Sequence, residues 1–310
     1  MSSGRPRHRG GRQGNSRHGD GGERRPPEPK PEPAADDTPV TAMFRGFASQ
    51  LDSKHDLYER LVKKSRDVTI ESKRIIFMLH RVTSEEQDRQ VLEEAAGRFR
   101  QLEGGTLRQI AEELAGHDPY LYLRAISPGL QEYIEALSFY HYLLNDRVIS
   151  CAEVQQRLTY PGGSAEPASG AEPSTTAGEP PPPAETGPGE GEVGDPLRLP
   201  LPYHEYVLGL ADLTGELMRR CISSVSSGQL EECWRLCALL RTIHEGFVNI
   251  GNTGPREITR KLATLRQSLT KVENACYQLK VRGEEIPRHM LADVFSAADD
   301  YGAHDDYAAD

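Results

Sequence analysis

Apolar residues recur every three or four positions along most of the chain, and almost nowhere at the two-residue interval of a half-buried strand. From about Met43 to Arg81, positions such as Phe44, Phe47, Leu51, Tyr58, Leu61, Ile75 and Leu79 keep a helical period and predict one long amphipathic helix. A second helical stretch covers 84–116, with Ser84 as N-cap and Gln87 three positions on. A third starts near Pro119–Tyr122 and runs to about Ile149, with a kink expected at Pro128–Gly129. The fourth covers about Pro202 to Ser226 and the fifth about Leu230 to Phe247. The last starts at Pro255, a residue suited to a first helical turn, and continues to about Val281. These elements predict an all-α bundle of six or seven helices.

Three segments fall outside this pattern. Residues 1–40 are rich in Gly, Arg and Pro and read as a disordered tail. Residues 160–199 are mostly Pro, Gly, Ala, Ser, Thr and Glu, and read as a flexible acidic insertion outside the core. Residues 297–310 read as a disordered acidic tail. One helical domain over 41–296, interrupted by the insertion, is the expected organisation. The basic run RPRHRGGRQGNSR suits nucleic acid or a nuclear-import signal, and equally a solvated tail.

The formal net charge of -10 over 310 residues changes little about the folded part. Residues 161–196 hold seven acids and 291–310 six, and neither stretch has a Lys or Arg. The remainder is near neutrality and able to carry a basic surface. The first long helix has such a face, with Lys54, Arg60, Lys63, Lys64, Arg66, Lys73, Arg74, His80 and Arg81. That stripe suits a phosphate backbone, and equally a solvated helix surface. The five cysteines lack tight paired spacing and are expected as free thiols in a reduced compartment. No apolar run reaches the length of a membrane span, and no signal-peptide region follows the start, so an intracellular protein is expected.

The candidate chemistry lies in four carboxylates. Glu132 and Glu135 stand at i,i+3 in LQEYIEALSFYHYL, and Asp212 and Glu216 at i,i+4 in LADLTGELMRR. Each spacing stacks its pair on one helix face. Both pairs lie among apolar residues, where a carboxylate needs a cation. If the two helices pack, the four acids form a site for a hard divalent cation such as magnesium. Such a site suits phosphodiester hydrolysis. Surface acids of amphipathic helices show the same spacings, so the structural reading stands beside the metal reading at this point. Arg124, Arg219 and Arg220 are placed to hold phosphate or to pair with an acid, and His141 to assist proton transfer. No Glu-x-x-His pair accompanies the acids, which weakens a di-iron bundle. GNTGP lacks the Lys-Ser/Thr of a phosphate loop and reads as a helix-starting turn.

At these residues the chain resembles the translin family, and within it the members that associate with translin. The phrases that carry the resemblance are HDLYERLVKKSRDVTIESKR, GLQEYIEALSF, LGLADLTGELMRRCI, IGNTGPREITRKL and SLTKVENACYQLKVRGEEIPRHMLADVF. They cover most of 43–155 and 200–296. The resemblance implies an all-helical chain that assembles with translin into a closed hetero-oligomer, often an octamer. It implies a magnesium-dependent endoribonuclease selective for single-stranded RNA, with manganese as a substitute ion. Passenger-strand removal during loading of the RNA-induced silencing complex and tRNA-fragment processing are the implied roles, in nucleus and cytoplasm. The positions matching the family's catalytic and metal-binding acids are Glu132, Glu135, Asp212 and Glu216. The rival expectation is a non-catalytic subunit that binds single-stranded RNA or DNA or serves as a scaffold. The Gly/Arg-rich tail and the longer acidic insertion depart from the family pattern.

Overall fold

The computed structural model describes residues 38–82, 85–161, 196–227, 229–251 and 256–282. Residues 1–37 and 297–310 of the expected tails, most of the insertion and residues 252–255 of the GNTGP turn lie outside the described residues, while Pro39 and Val40, expected in the tail, open the first helix. Among the described residues, eight α-helices follow in chain order. They are α1 (Pro39–Leu79), α2 (Glu85–Leu102), α3 (Arg108–Leu114), α4 (Leu123–Asn145), α5 (Cys151–Arg157), α6 (Tyr203–Ser227), α7 (Leu230–Ile250) and α8 (Arg256–Arg282). Six are long and two, α3 and α5, have seven residues each. The chain divides into two units, one ending at Ser49 and the other starting at Gln50. In the first, the opening turns of α1 leave Val40, Met43, Phe44 and Phe47 exposed.

In the second unit α1 buries Leu57, Leu61, Ser65, Val68, Ser72, Ile75 and Leu79, a run of three- and four-residue steps that defines one helical face. The serines let another backbone come close. Ser65 Oγ accepts from the Gly129 N–H at 3.0 Å and donates to the Ile126 carbonyl at 3.3 Å. A Cβ at Gly129 would lie 2.7 Å from the Ser65 carbonyl oxygen, so only glycine fits. α4 runs unbroken through Pro128. An off-ladder hydroxyl serves the backbone beside the proline, and the expected interruption does not occur. Ser65→Ala removes two buried hydrogen bonds and is expected to cost about 1–3 kcal/mol, measurable as a lowered denaturation midpoint.

From Tyr133 to Tyr140 every residue of α4 is buried, so this helix is the centre of the bundle. It ends earlier than the expected Ile149. Asp146 takes a left-handed conformation (φ 53°) and its N–H donates to the Tyr142 carbonyl. A Ser150–Glu153 capping box then starts α5. Between α2 and α3, residues Glu103–Leu107 form a π-helical turn. It directs Glu103 to accept from Tyr133 Oη at 2.6 Å and from Arg157 Nε at 2.7 Å. Two short antiparallel strands, β1 (Thr159–Tyr160) and β2 (Leu197–Arg198), bracket the acidic insertion. Their pairing brings the two ends of the insertion together, which leaves α4 and α6 free to pack. No helix among the described residues is long and apolar enough to cross a membrane. All five cysteines are free thiols, and Cys221, Cys233, Cys237 and Cys276 are buried between α6, α7 and α8.

Candidate acidic centre

The α4–α6 contact that joins the two acidic pairs depends on one small residue. A Cβ at Gly209 would lie 2.7 Å from Ile134 Cβ and 3.0 Å from the Gln131 carbonyl oxygen. Without a side chain there, α6 lies directly on the stretch of α4 that carries Glu132 and Glu135. The buried carboxyl of Glu135 then has Asp212, Glu132 and Glu216 as its charged surroundings. Burial is the largest influence on it, the three acids add to it, and Lys73 opposes. Together they push the Glu135 carboxyl up to about 8. It is protonated at neutral pH while no further cation is present.

The other three acids each meet a cation. Lys73 Nζ on α1 lies 2.9 Å from Glu132 Oε1. Hydrogen bonding to Glu132 and its charge raise the Lys73 pKa, with Glu135 and Asp212 adding to the effect. Lys261 Nζ on α8 donates to Asp212 Oδ2 at 2.5 Å, to Gln131 Oε1 at 2.9 Å and to the Leu208 carbonyl at 3.2 Å. Glu216 Oε2 lies 2.5 Å from His80 Nε2 and 2.7 Å from Arg219 Nη1. Gln131 extends the network. Its Nε2 donates to Glu205 Oε2 at 2.7 Å, and Ser127 Oγ donates to the same oxygen at 2.7 Å. Four helices, α1, α4, α6 and α8, thus contribute to one charged cluster.

Not every expected residue joins it. His141 is surrounded electrostatically by Arg157, Arg147 and Glu153, and burial lowers its pKa, so it is a neutral side chain away from the four acids. Both its ring nitrogens are buried without a hydrogen-bond partner among the described residues. Arg220 is committed elsewhere: its Nη1 donates to the Val82 carbonyl and its Nε lies 3.6 Å from Glu232. Arg124 is exposed on α4 and makes no contact with the acids among the described residues. The basic stripe of α1 is partly neutralised, since Arg60 pairs with Glu113 and Arg74 with Glu71. The sequence reading missed Lys261, Gln131 and Glu205, and it did not place Lys73 or His80 beside the acids. Glu205 was detectable, because it precedes Asp212 by seven residues and shares its face.

The donor set suits a hard divalent cation in chemistry: four carboxylates, one of them held protonated by burial first and by its acidic neighbours second. In geometry, no group of three or more His, Cys, Asp or Glu residues converges on a common point among the described residues. Lys73, Lys261 and Arg219 pair with the acids instead, and His80 hydrogen-bonds Glu216.

A closely packed all-α bundle with carboxylates gathered between two central helices defines the class. The translin family matches residues 56–283, and the chain belongs to that family. It is 49% identical over 263 residues to translin-associated protein X of Mus musculus, covering 85% of this chain and 86% of that one. The corresponding protein of Rattus norvegicus is 46% identical over the same length. A translin-associated protein X homolog of Schizosaccharomyces pombe is 25% identical over 264 residues, covering 82% of this chain and 94% of the yeast one. Among solved structures, apo-NeC3PO shares the fold at a TM-score of 0.50 and 17% identity, covering 74% of this chain and 94% of its own. AfC3PO in complex with duplex RNA does so at 0.50 and 16%, covering 79% and 100%.

Proposed function

We propose that this chain is the catalytic subunit of a divalent-cation-dependent endoribonuclease that acts on single-stranded RNA in a closed hetero-oligomer with translin. The observation that carries the reading is the gathering of Asp212, Glu132 and Glu216 around the buried Glu135, in a chain of the translin family. One of the two fold relatives, AfC3PO, binds duplex RNA, which supports RNA as the class of ligand. Glu132, Glu135, Asp212 and Glu216 would hold Mg²⁺ or Mn²⁺, which supplies Lewis-acid stabilisation of charge developing on the phosphoryl oxygens. Lys73 Nζ and Lys261 Nζ hold Glu132 and Asp212 in position. The Glu135 carboxyl keeps a proton until positive charge arrives, then releases it. Arg219, exposed at the rim, pairs with a phosphate once Glu216 is engaged. The roles in passenger-strand removal and tRNA-fragment processing, in nucleus and cytoplasm, belong to the same proposal.

Lys73, Lys261 and Arg219, which neutralise three of the acids, favour a second reading, an RNA- or single-stranded-DNA-binding subunit whose acids are structural. One assay separates the two. The complex with translin is given single-stranded RNA with Mg²⁺ and with chelator, beside an Asp212→Ala complex. The nuclease reading expects metal-dependent cutting that the variant loses. Binding without cutting in every sample supports the second reading.

A further inference from the structure

Four of the five cysteines meet where α6, α7 and α8 pack, apart from the acidic centre. Two contacts fix how α7 lies against α8. Arg241 Nε on α7 donates to Glu273 Oε1 on α8 at 2.6 Å, and Cys276 Sγ on α8 lies 3.6 Å from the Cys233 carbonyl oxygen on α7. The two helices are therefore antiparallel. One turn from the ion pair, Cys237, four residues before Arg241, faces Cys276, three residues after Glu273. The Cys276 thiol accordingly hydrogen-bonds with Cys237 as well as with Cys221. Helix axes pack about 8–10 Å apart and each Cα stands about 2.3 Å from its axis, so facing Cα atoms come within about 6 Å. A disulfide spans roughly 4.4–6.8 Å between Cα atoms.

Access separates this pair from its neighbours. Cys237 and Cys276 each keep 3% of their surface exposed, whereas Cys221 and Cys233 keep none. Arg241 and Glu273 above the pair are both exposed, so a small solute arrives from the rim of the bundle. Hydrogen bonding from Cys221 lowers the Cys276 pKa against the effect of burial, and Cys237 and the Arg241 charge add to the lowering. Burial raises the Cys237 pKa, and neighbouring Cys276 adds to it. A thiol that ionises readily, with a protonated thiol beside it, is the arrangement of an oxidised cysteine and its resolving partner.

We propose that Cys237 and Cys276 form a redox-active dithiol that hydrogen peroxide converts into a disulfide joining α7 to α8. The Cys276 thiolate attacks one peroxide oxygen and the O–O bond breaks. Hydroxide leaves and takes up the proton that Cys276 released, as water. Cys276 is then a sulfenic acid. The Cys237 sulfur attacks the Cys276 sulfur, the S–O bond breaks, and the hydroxyl leaves with the Cys237 proton as a second water. The two thiols lose two electrons in total and the peroxide gains them. A thiol reductant reverses the bond. The bond ties α7 to α8, the helix from which Lys261 reaches Asp212.

The test uses the folded complex with translin, treated with hydrogen peroxide, blocked with N-ethylmaleimide and digested with trypsin without reductant. The sequence separates the thiols: Cys237 falls in peptide 236–241, Cys276 in 272–280, and Cys221 and Cys233 together in 221–235. Mass spectrometry is expected to find 236–241 joined to 272–280, and to find them separate after reduction. In Cys237→Ser the reaction stops at the sulfenic acid, and dimedone is expected to label 272–280. A link from 272–280 to 221–235 or to a translin peptide overturns the inference. So does a wild-type complex in which both peptides carry only N-ethylmaleimide. Cys237→Ser without dimedone on 272–280 overturns the order of attack. The wild-type map needs no variant, so it decides the pairing even where Cys237→Ser does not fold.

Discussion

Glu135→Gln is expected to reduce RNA cleavage on the order of 10²–10⁴-fold and, without divalent cation, to stabilise the protein at alkaline pH. Both effects have one cause. The Glu135 carboxyl is pushed up to about 8 from an ordinary value of 4.5, first by burial and then by Asp212, Glu132 and Glu216. Between those two values the folded state holds a proton that the unfolded state has released. Stability therefore falls as pH rises from about 5 to about 8 and is level above that. Glutamine is nearly isosteric with the protonated acid and does not ionise, so the variant lacks this fall. Thermal melts across pH, beside a cleavage assay in Mg²⁺, measure the two effects together. Superimposable pH–stability curves for the two proteins, or full cleavage by the variant, contradict the assignment.

The second large effect is expected at Gly209. An alanine there brings its Cβ to 2.7 Å from Ile134 Cβ and Cγ2, well inside contact distance. Relief requires α6 to move off α4, which is the contact that joins Asp212 and Glu216 to Glu135. Overpacking of this kind costs about 1–3 kcal/mol. Cleavage falls with stability because the acids separate. Gly215, six residues along the same helix, is the control, since nothing lies within 4 Å of a Cβ there. Gly215→Ala is expected to be neutral or to stabilise by up to about 1 kcal/mol, the helix-propensity difference. Melting and cleavage assays on both variants check this. A Gly209→Ala protein that melts with the wild type removes the argument that close approach positions the site.

Helical periodicity made most of the fold legible. The long helices expected over 43–81, 202–226, 230–247 and 255–281 lie at 39–79, 203–227, 230–250 and 256–282. Where the reading failed, a tertiary contact or a cap decided the outcome. Pro128–Gly129 reads as a break, but a proline removes only its own ladder hydrogen bond, and α4 continues through it with Gly129 packed on Ser65, 64 residues earlier in the chain. The end of α4 depends on Asp146 accepting a left-handed conformation, which its type permits but does not require. The S-x-x-E signal at Ser150–Glu153 was present in the sequence and was passed over. The two short strands have too few residues to show alternation.

At the site, spacing alone paired Glu132 with Glu135 and Asp212 with Glu216, because both pairs lie within single helices. Their neighbours were not legible. Lys261 reaches Asp212 from 49 residues away, and His80 reaches Glu216 from 136 residues away. Such partners follow from how helices are arranged, which one amphipathic pattern does not specify. His141 misled for the complementary reason. It shares α4 with Glu135, but its surroundings are Arg157 and Arg147, from other parts of the chain.

Binding of a divalent cation at the four acids is the claim from which the rest follows. The most direct measurement is a Mn²⁺ titration of the complex with translin, followed by electron paramagnetic resonance, for wild type and for Asp212→Asn with Glu135→Gln. Saturable binding in the wild type that the double variant loses, with assembly intact, is the expected result. Equal Mn²⁺ binding by both complexes, or none by the wild type, contradicts it and leaves the acids as a structural network held by Lys73, Lys261, His80 and Arg219.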